Sequence, residues 1–276
     1  MFFKNSFLAS AGFLLLFTAF ATSAAGGTPT PWSYHGSAGP EHWGELDKRY
    51  QACNLSKEQS PINITDSTVT DRNPLKIHYI TSAAQAVNDE YSSLNIHGKK
   101  TLINDGHTLQ INLPKNASQE YIDINNNSYQ LIQFHFHTPS ENHMNNKSFP
   151  IEIHFVNQSK EGDLAVLGVM LLVGKYNVAL QNLIDELPAN KHALKIANKI
   201  VLSIGDLLPQ DESYYTFTGS LTTPPCSEAV RWFVFSTPVE ASLLQINQLK
   251  TLLPVNNARP VQALNKREIL QFIDHK

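Results

Sequence analysis

Residues 129–141 read YQLIQFHFHTPSE. From Tyr129 to His137 aromatic and β-branched residues are dense, the composition of a β-strand. Strand side chains alternate between faces, so Gln133, His135 and His137 share one face and Phe134 and Phe136 take the other. Two strand rises put His135 and His137 about 6.6 Å apart, a spacing from which both imidazoles can converge on one ion. A third imidazole, His154, follows 17 residues after His137 in the strand-like run PIEIHFVN, residues 150–157. The intervening residues 138–149 allow an antiparallel return. Three neutral histidines from two adjacent strands make an open tetrahedral site whose fourth position is left for water, the arrangement of catalytic rather than structural zinc. The competing reading of an H-x-H pair is two ordinary core-edge histidines.

Further strand-like runs flank this pair: LNIHG (94–98), TLQINL (108–113), LAVLGVMLLVG (164–174) and EAVRWFVFS (228–236). Asp105-Gly106, Pro114-Lys115-Asn116, Asn125-Asn126-Asn127 and Gly162-Asp163 supply turns between them. Helix is scarce. Residues 177–187 place Val178, Leu180, Leu183, Ile184 and Leu187 on one face and stop at Pro188; residues 239–252 and 266–272 are read as shorter helices. The expected class is mostly β, a single domain on a large, mainly antiparallel twisted sheet with a few short surface helices. A longer crossover would permit a parallel pair.

The 276 residues begin with MFFKNSFLASAGFLLLFTAFATSAA, where Lys4 precedes an apolar run and small residues follow. That is the pattern of a secretory signal peptide over residues 1–25, leaving a domain over 26–276 and predicting export to the periplasm or the extracellular space. The apolar run is shorter than the ~20 residues that span a bilayer, and no later stretch is long and apolar enough, so no membrane span is expected once the signal is removed. Removal takes Lys4, leaving 20 of the 21 basic residues against 24 acidic ones and a net charge of −4. Without a basic patch, nucleic acid is not an expected partner. The two cysteines, Cys53 and Cys226, read as a disulfide in an oxidising compartment, the alternative being two free buried thiols.

His135-x-His137-x3-Glu141 also has the metal-site spacing of a cupin barrel, in which Glu141 is a ligand. The glycines that flank that motif are missing; Tyr129 and Ser148 stand in their places. A different family accounts for more of the chain. GPEHW (39–43), QSPINI (59–64), NDGHTLQ (104–110), QFHFHTPSE (133–141), EIHFV (152–156), LAVLGV (164–169), GSLTTPPCSEAVRW (219–232) and NNARPVQ (256–262) occur in order. Across roughly residues 32–272 the sequence resembles the α-class carbonic anhydrases of exported, bacterial type.

The resemblance implies zinc-dependent, reversible hydration of CO2 to bicarbonate, with a side esterase activity. His135, His137 and His154 match the zinc ligands. Gln133, Glu152 and the backbone carbonyl of Asn257 match the groups that orient them. Thr222 and Glu141 match the pair that aims the nucleophile. Thr223 matches the bicarbonate contact. Val156, Val166, Leu221, Val230 and Trp232 match the CO2 pocket. His107 matches the proton shuttle, and the histidines at 35, 42, 78, 97, 143, 192 and 275 are read as structural or surface. Cys53 and Cys226 resemble the disulfide of exported members. CO2, water and bicarbonate are the implied small-molecule partners, with sulfonamides and small anions as inhibitors; oligomeric state, a homodimer included, is left open. Asn142 stands where many members have histidine, Phe217 where many have tyrosine, and Asp105 and Gln110 replace asparagines near the shuttle. A non-catalytic binding module on the same fold is the alternative, since fold alone does not fix function.

Overall fold

The computed structural model describes residues 28–83, 100–114, 119–197, 202–254 and 256–275. The predicted signal segment, the LNIHG run and His97 lie outside the described residues. Strands run in chain order as β1 (Asn63–Ile64), β2 (Thr68–Thr70), β3 (Leu75–Ile77), β4 (Lys100–Asn104), β5 (Leu109–Asn112), β6 (Tyr121–Ile124) and β7 (Asn127–His137). They continue as β8 (His143–Met144), β9 (Ile151–Ser159), β10 (Leu164–Val173), β11 (Ala193–Ala197), β12 (Tyr214–Gly219), β13 (Val230–Phe235), β14 (Val239–Ala241) and β15 (Leu270–Phe272). Among the described residues, the α-helices with both ends in view are α1 (Trp43–Leu46), α2 (Ala52–Leu55), α3 (Val178–Ile184) and α4 (Leu243–Leu252).

Among the described residues, thirteen strands form one sheet whose main path is β11-β4-β5-β7-β9-β10-β13-β12-β15-β2. The predicted return from β7 to β9 is antiparallel, with His135 directly opposite His154. The sheet is mixed. β10 runs parallel to β13 and β14, and β15 runs parallel to β2. The path from β10 to β13 passes through α3, the kind of long crossover that a parallel pair requires.

Three predicted helices are corrected in extent or type. Residues 239–241 form β14 against the end of β10. The helix starts at Leu243 because Ser242 caps it: its hydroxyl accepts from the Gln245 amide, and the Gln245 side chain accepts from the Ser242 amide. Residues 270–272 form β15, not helix, because the segment lies between β12 and β2 and finds ladder partners on both edges. The 177–187 helix is shorter than expected and spans Val178–Ile184, begun where the Asn177 side chain accepts from the Leu180 amide at 2.9 Å.

Parity divides the sheet. Phe134, Phe136 and Phe155 are fully buried in the larger core, with Phe134 stacked on Phe155 at 5.4 Å. Each such side chain contributes roughly 1.5–3 kcal/mol relative to exposure. The opposite face carries the histidines and a smaller apolar cluster built on Val156, Val166, Val230 and Trp232. A third cluster packs Trp43, Tyr50 and the Cys53–Cys226 disulfide against Trp32 and Tyr34. The bridge joins residues 173 apart in sequence, a loop for which chain entropy gives about 5 kcal/mol of stabilisation. Among the described residues no helix is long and apolar enough to cross a membrane.

Candidate metal centre

His135, His137 and His154 offer nitrogens that all lie within 4.8 Å of one another. The cross-strand register makes this so. One row across the sheet reads Gln110, His135, His154, Gly168, Val234, and two residues along β7, on the same face, His137 pairs with Glu152. At Gly168 a Cβ would come within 3.0 Å of a Glu152 carboxylate oxygen, so the missing side chain leaves space for that carboxylate beside His154.

Each imidazole is oriented through its other nitrogen. His135 Nδ1 lies 2.8 Å from Gln133 Oε1, and His137 Nδ1 lies 2.8 Å from the Asn257 carbonyl. His154 presents the opposite nitrogen outward, with its Nε2 2.9 Å from Glu152 Oε1. Two Nε2 atoms and one Nδ1 are thereby left to face a common point, as metal-binding histidines require. Asn142 in turn fixes Glu152: its side-chain amide donates to Oε1 and its backbone N–H to Oε2, both at 2.8 Å. Burial pushes all three imidazoles below the ordinary histidine value, and the neighbouring imidazoles add to this at His135 and His154. They are neutral at pH 7, the state a ligand needs.

These residues fit a zinc ion. His137 Nε2 is buried and has no hydrogen-bond partner, a costly state unless a ligand meets it. An all-imidazole donor set suits zinc and not a hard cation. Glu141 falls outside the nitrogen cluster, and its Oε1 accepts from the Arg259 backbone N–H at 2.8 Å. Its Oε2 lies 3.4 Å from His137 Nε2. The Thr222 hydroxyl hydrogen-bonds the Glu141 carboxyl, and burial pushes that carboxyl well above the usual range against the pull of Arg259 and Thr222.

The five apolar positions come together. Val156, Val166 and Trp232 are consecutive cross-strand partners, Val230 ends the same face, and Leu221 packs on the cluster. The Trp232 ring meets His154 edge-on at 4.9 Å. His107 sits in the loop between β4 and β5, stacked on Trp32 at 4.2 Å. Asn257 ties this loop to the centre, because its side-chain amide donates to the carbonyls of His107 and Phe136 at 2.9 Å each. Thr223 lies in the turn that leads to Cys226, whose amide donates to the Thr223 carbonyl at 2.9 Å. Phe217 stacks on Trp232 at 6.1 Å and contributes no hydroxyl.

The sequence model described as "Eukaryotic-type carbonic anhydrase" matches residues 38–273. The chain belongs to the carbonic anhydrase family. It is 37% identical over 274 residues to a carbonic anhydrase of Nostoc sp., covering 98% of each chain. The α-carbonic anhydrase of Thermovibrio ammonificans, solved with the inhibitor sulfanilamide, superposes with a TM-score of 0.77 at 37% identity, over 89% of this chain and 100% of that one. Dioscorin, solved in complex with ascorbate, gives 0.76 at 29% identity, over 89% and 99%.

Four contributors around the carbonic anhydrase centre escaped sequence reasoning as contributors: Trp32, Tyr34, Asn142 and Arg259. The aromatic run PWSYHG (31–36) was the available signal for the first two. Burial, then the Glu141 and Asp105 carboxylates, push the Tyr34 phenol well above its usual value. Arg259 is buried; its guanidinium donates to the carbonyls of Ser60 and Cys53 and to the Gln59 side chain.

Proposed function

We propose that the chain catalyses the reversible hydration of CO2 to bicarbonate and a proton, using zinc held by His135, His137 and His154. The observation that carries this reading is the set of three neutral imidazoles, each oriented from behind, beside a Thr222–Glu141 hydrogen bond. When bound, zinc supplies a nucleophile at neutral pH by acidifying water, the chemistry for which carbonic anhydrases are the reference case.

The chain's own residues then position and clear the reaction. Glu141 accepts from the Thr222 hydroxyl, so the Thr222 oxygen is left to accept a hydrogen bond from the attacking hydroxyl group and aim its lone pair at carbon. An anion without a proton to donate is disfavoured at the same point. Val156, Val166, Leu221, Val230 and Trp232 hold CO2 against an apolar wall, and Thr223 meets the bicarbonate product. His107 takes the released proton toward solvent, a step suited to an imidazole near neutral pH. Slow hydrolysis of activated esters is a side activity of the same nucleophile, and sulfonamides and small anions are the expected inhibitors. Residues 1–25 are proposed as a cleaved export signal, in keeping with the disulfide.

Stopped-flow CO2 hydration by purified protein, with and without a zinc chelator, tests the proposal. Chelator-sensitive hydration is expected. The second reading, a non-catalytic binding module, draws on the likeness to dioscorin. Zinc-loaded protein that fails to hydrate CO2 but binds ascorbate would establish it.

A further inference from the structure

We infer that His192 is a second proton relay, taking protons from His107 and delivering them to solvent buffer. This rests on the carbonic anhydrase reading and extends its last step.

The juxtaposition comes from sheet register. β11 pairs antiparallel with β4, and Ala193 lies opposite Asn104. His192, one residue before Ala193, therefore flanks the Asp105-Gly106-His107 loop. It has φ of +59°, a left-handed turn that leads the chain into the edge strand. Its imidazole packs on Gly106: a Cβ there would lie 2.7 Å from His192 Cε1 and 3.1 Å from Nε2. Gly106 has φ of +87°. Glycine thus serves twice, for its backbone angle and for the close approach of the ring. A second imidazole is seated against the residue next to the shuttle.

The two histidines differ in exposure in the order a relay needs. His107 is half-buried, stacked on Trp32, with its Nε2 3.1 Å from the Trp32 carbonyl. His192 is exposed. Asp105, the charged group in the same loop, has its Oδ1 engaged by the backbone amides of His107 and Thr108, both at 2.8 Å. Lys191 precedes His192 and is exposed. In the hydration direction the His107 imidazolium gives its proton through water to a neutral His192 nitrogen. His107 returns to neutral imidazole, and the His192 imidazolium passes the proton to a buffer base. No further reactant is needed.

The test is steady-state CO2 hydration by the zinc-loaded enzyme over a range of buffer concentrations, for the wild type, His192→Ala and His192→Asn. The asparagine variant keeps a polar side chain that cannot relay. Both variants should lose kcat several-fold in dilute buffer, keep kcat/KM, and recover as imidazole is added. In a His107→Ala background, His192→Ala should cost nothing more, because its donor is gone. Unchanged kcat in dilute buffer for both single variants overturns the relay. So does an equal loss in the His107→Ala background. Wild-type protein that hydrates no CO2 at any buffer concentration overturns the underlying reading instead.

Discussion

At the residue scale, the candidate site separates groups that hold an ion from groups that aim a reaction. Thr222 is no member of the imidazole set, yet its hydroxyl joins Glu141, whose Oε1 is pinned by the Arg259 amide. Thr222→Ala should therefore lower kcat/KM by about 100-fold, the scale of loss for a misaligned nucleophile, while metal analysis finds zinc content unchanged. At the proposed zinc site Glu152 would act through His154, whose Nε2 it meets at 2.9 Å. Glu152→Gln should weaken zinc binding by roughly 10–100-fold, the usual cost of losing an outer carboxylate, read by competition with a chromophoric chelator. The cluster of three imidazoles was legible because H-x-H on a strand has only one parity and His154 falls on the next strand. Asn142 was flagged only as a departure from histidine. Its bonds to Glu152 Oε1 and Oε2 show asparagine meeting the need to hold that carboxylate.

At the scale of elements, long runs were readable and short ones were not. The runs that became β7, β9, β10 and β13 carried enough apolar residues to declare themselves. β14 and β15 have three residues each; pairing with distant strands makes them extended, and no local pattern records that. The 266–272 stretch looks helical by itself and is overruled by two ladder partners. Helix α4 began later than expected because a capping box outweighs the apolar residues ahead of it. The two-faced character of β7 was fully present in the alternation of histidine and phenylalanine. Its apolar side should prove as consequential for stability as the other side is for chemistry. Phe155→Ala, which removes the ring stacked on Phe134, should destabilise the fold by about 3–5 kcal/mol in urea unfolding, with the ligand set itself untouched.

At the scale of the whole molecule, another buried ionisable group lies outside the metal centre, beside the middle of β7. The Glu120 carbonyl accepts from the Leu131 amide at 2.8 Å. Glu120 is fully buried, its Oε2 accepts from the Ile80 amide at 3.0 Å, and Oε1 has no hydrogen-bond partner. Burial pushes its carboxyl up from 4.5 to about 7, against the Ile80 bond and the Lys100 charge. The native state therefore keeps this proton in a pH range where the unfolded chain has lost it. Its contribution is fully present below about pH 4.5 and is lost as pH rises through about 7. The loss amounts to about 3 kcal/mol at most. Glu120→Gln should flatten that part of the stability–pH curve, measured as the difference in unfolding free energy between variant and wild type from pH 4.5 to 7.

The tie between Asn257 and His137 has a consequence for biosynthesis. The carbonyl that orients His137, and the side chain that anchors the His107 loop, both belong to Asn257, about 100 residues beyond His154. A growing polypeptide holds all three candidate ligands long before it holds the group that sets one of them in place. Metal capture is coupled to folding, so tight zinc loading at the proposed site would wait until the chain has grown past Asn257. A ribosome-held or truncated chain that stops short of Asn257 would carry the histidines and still lack the finished site.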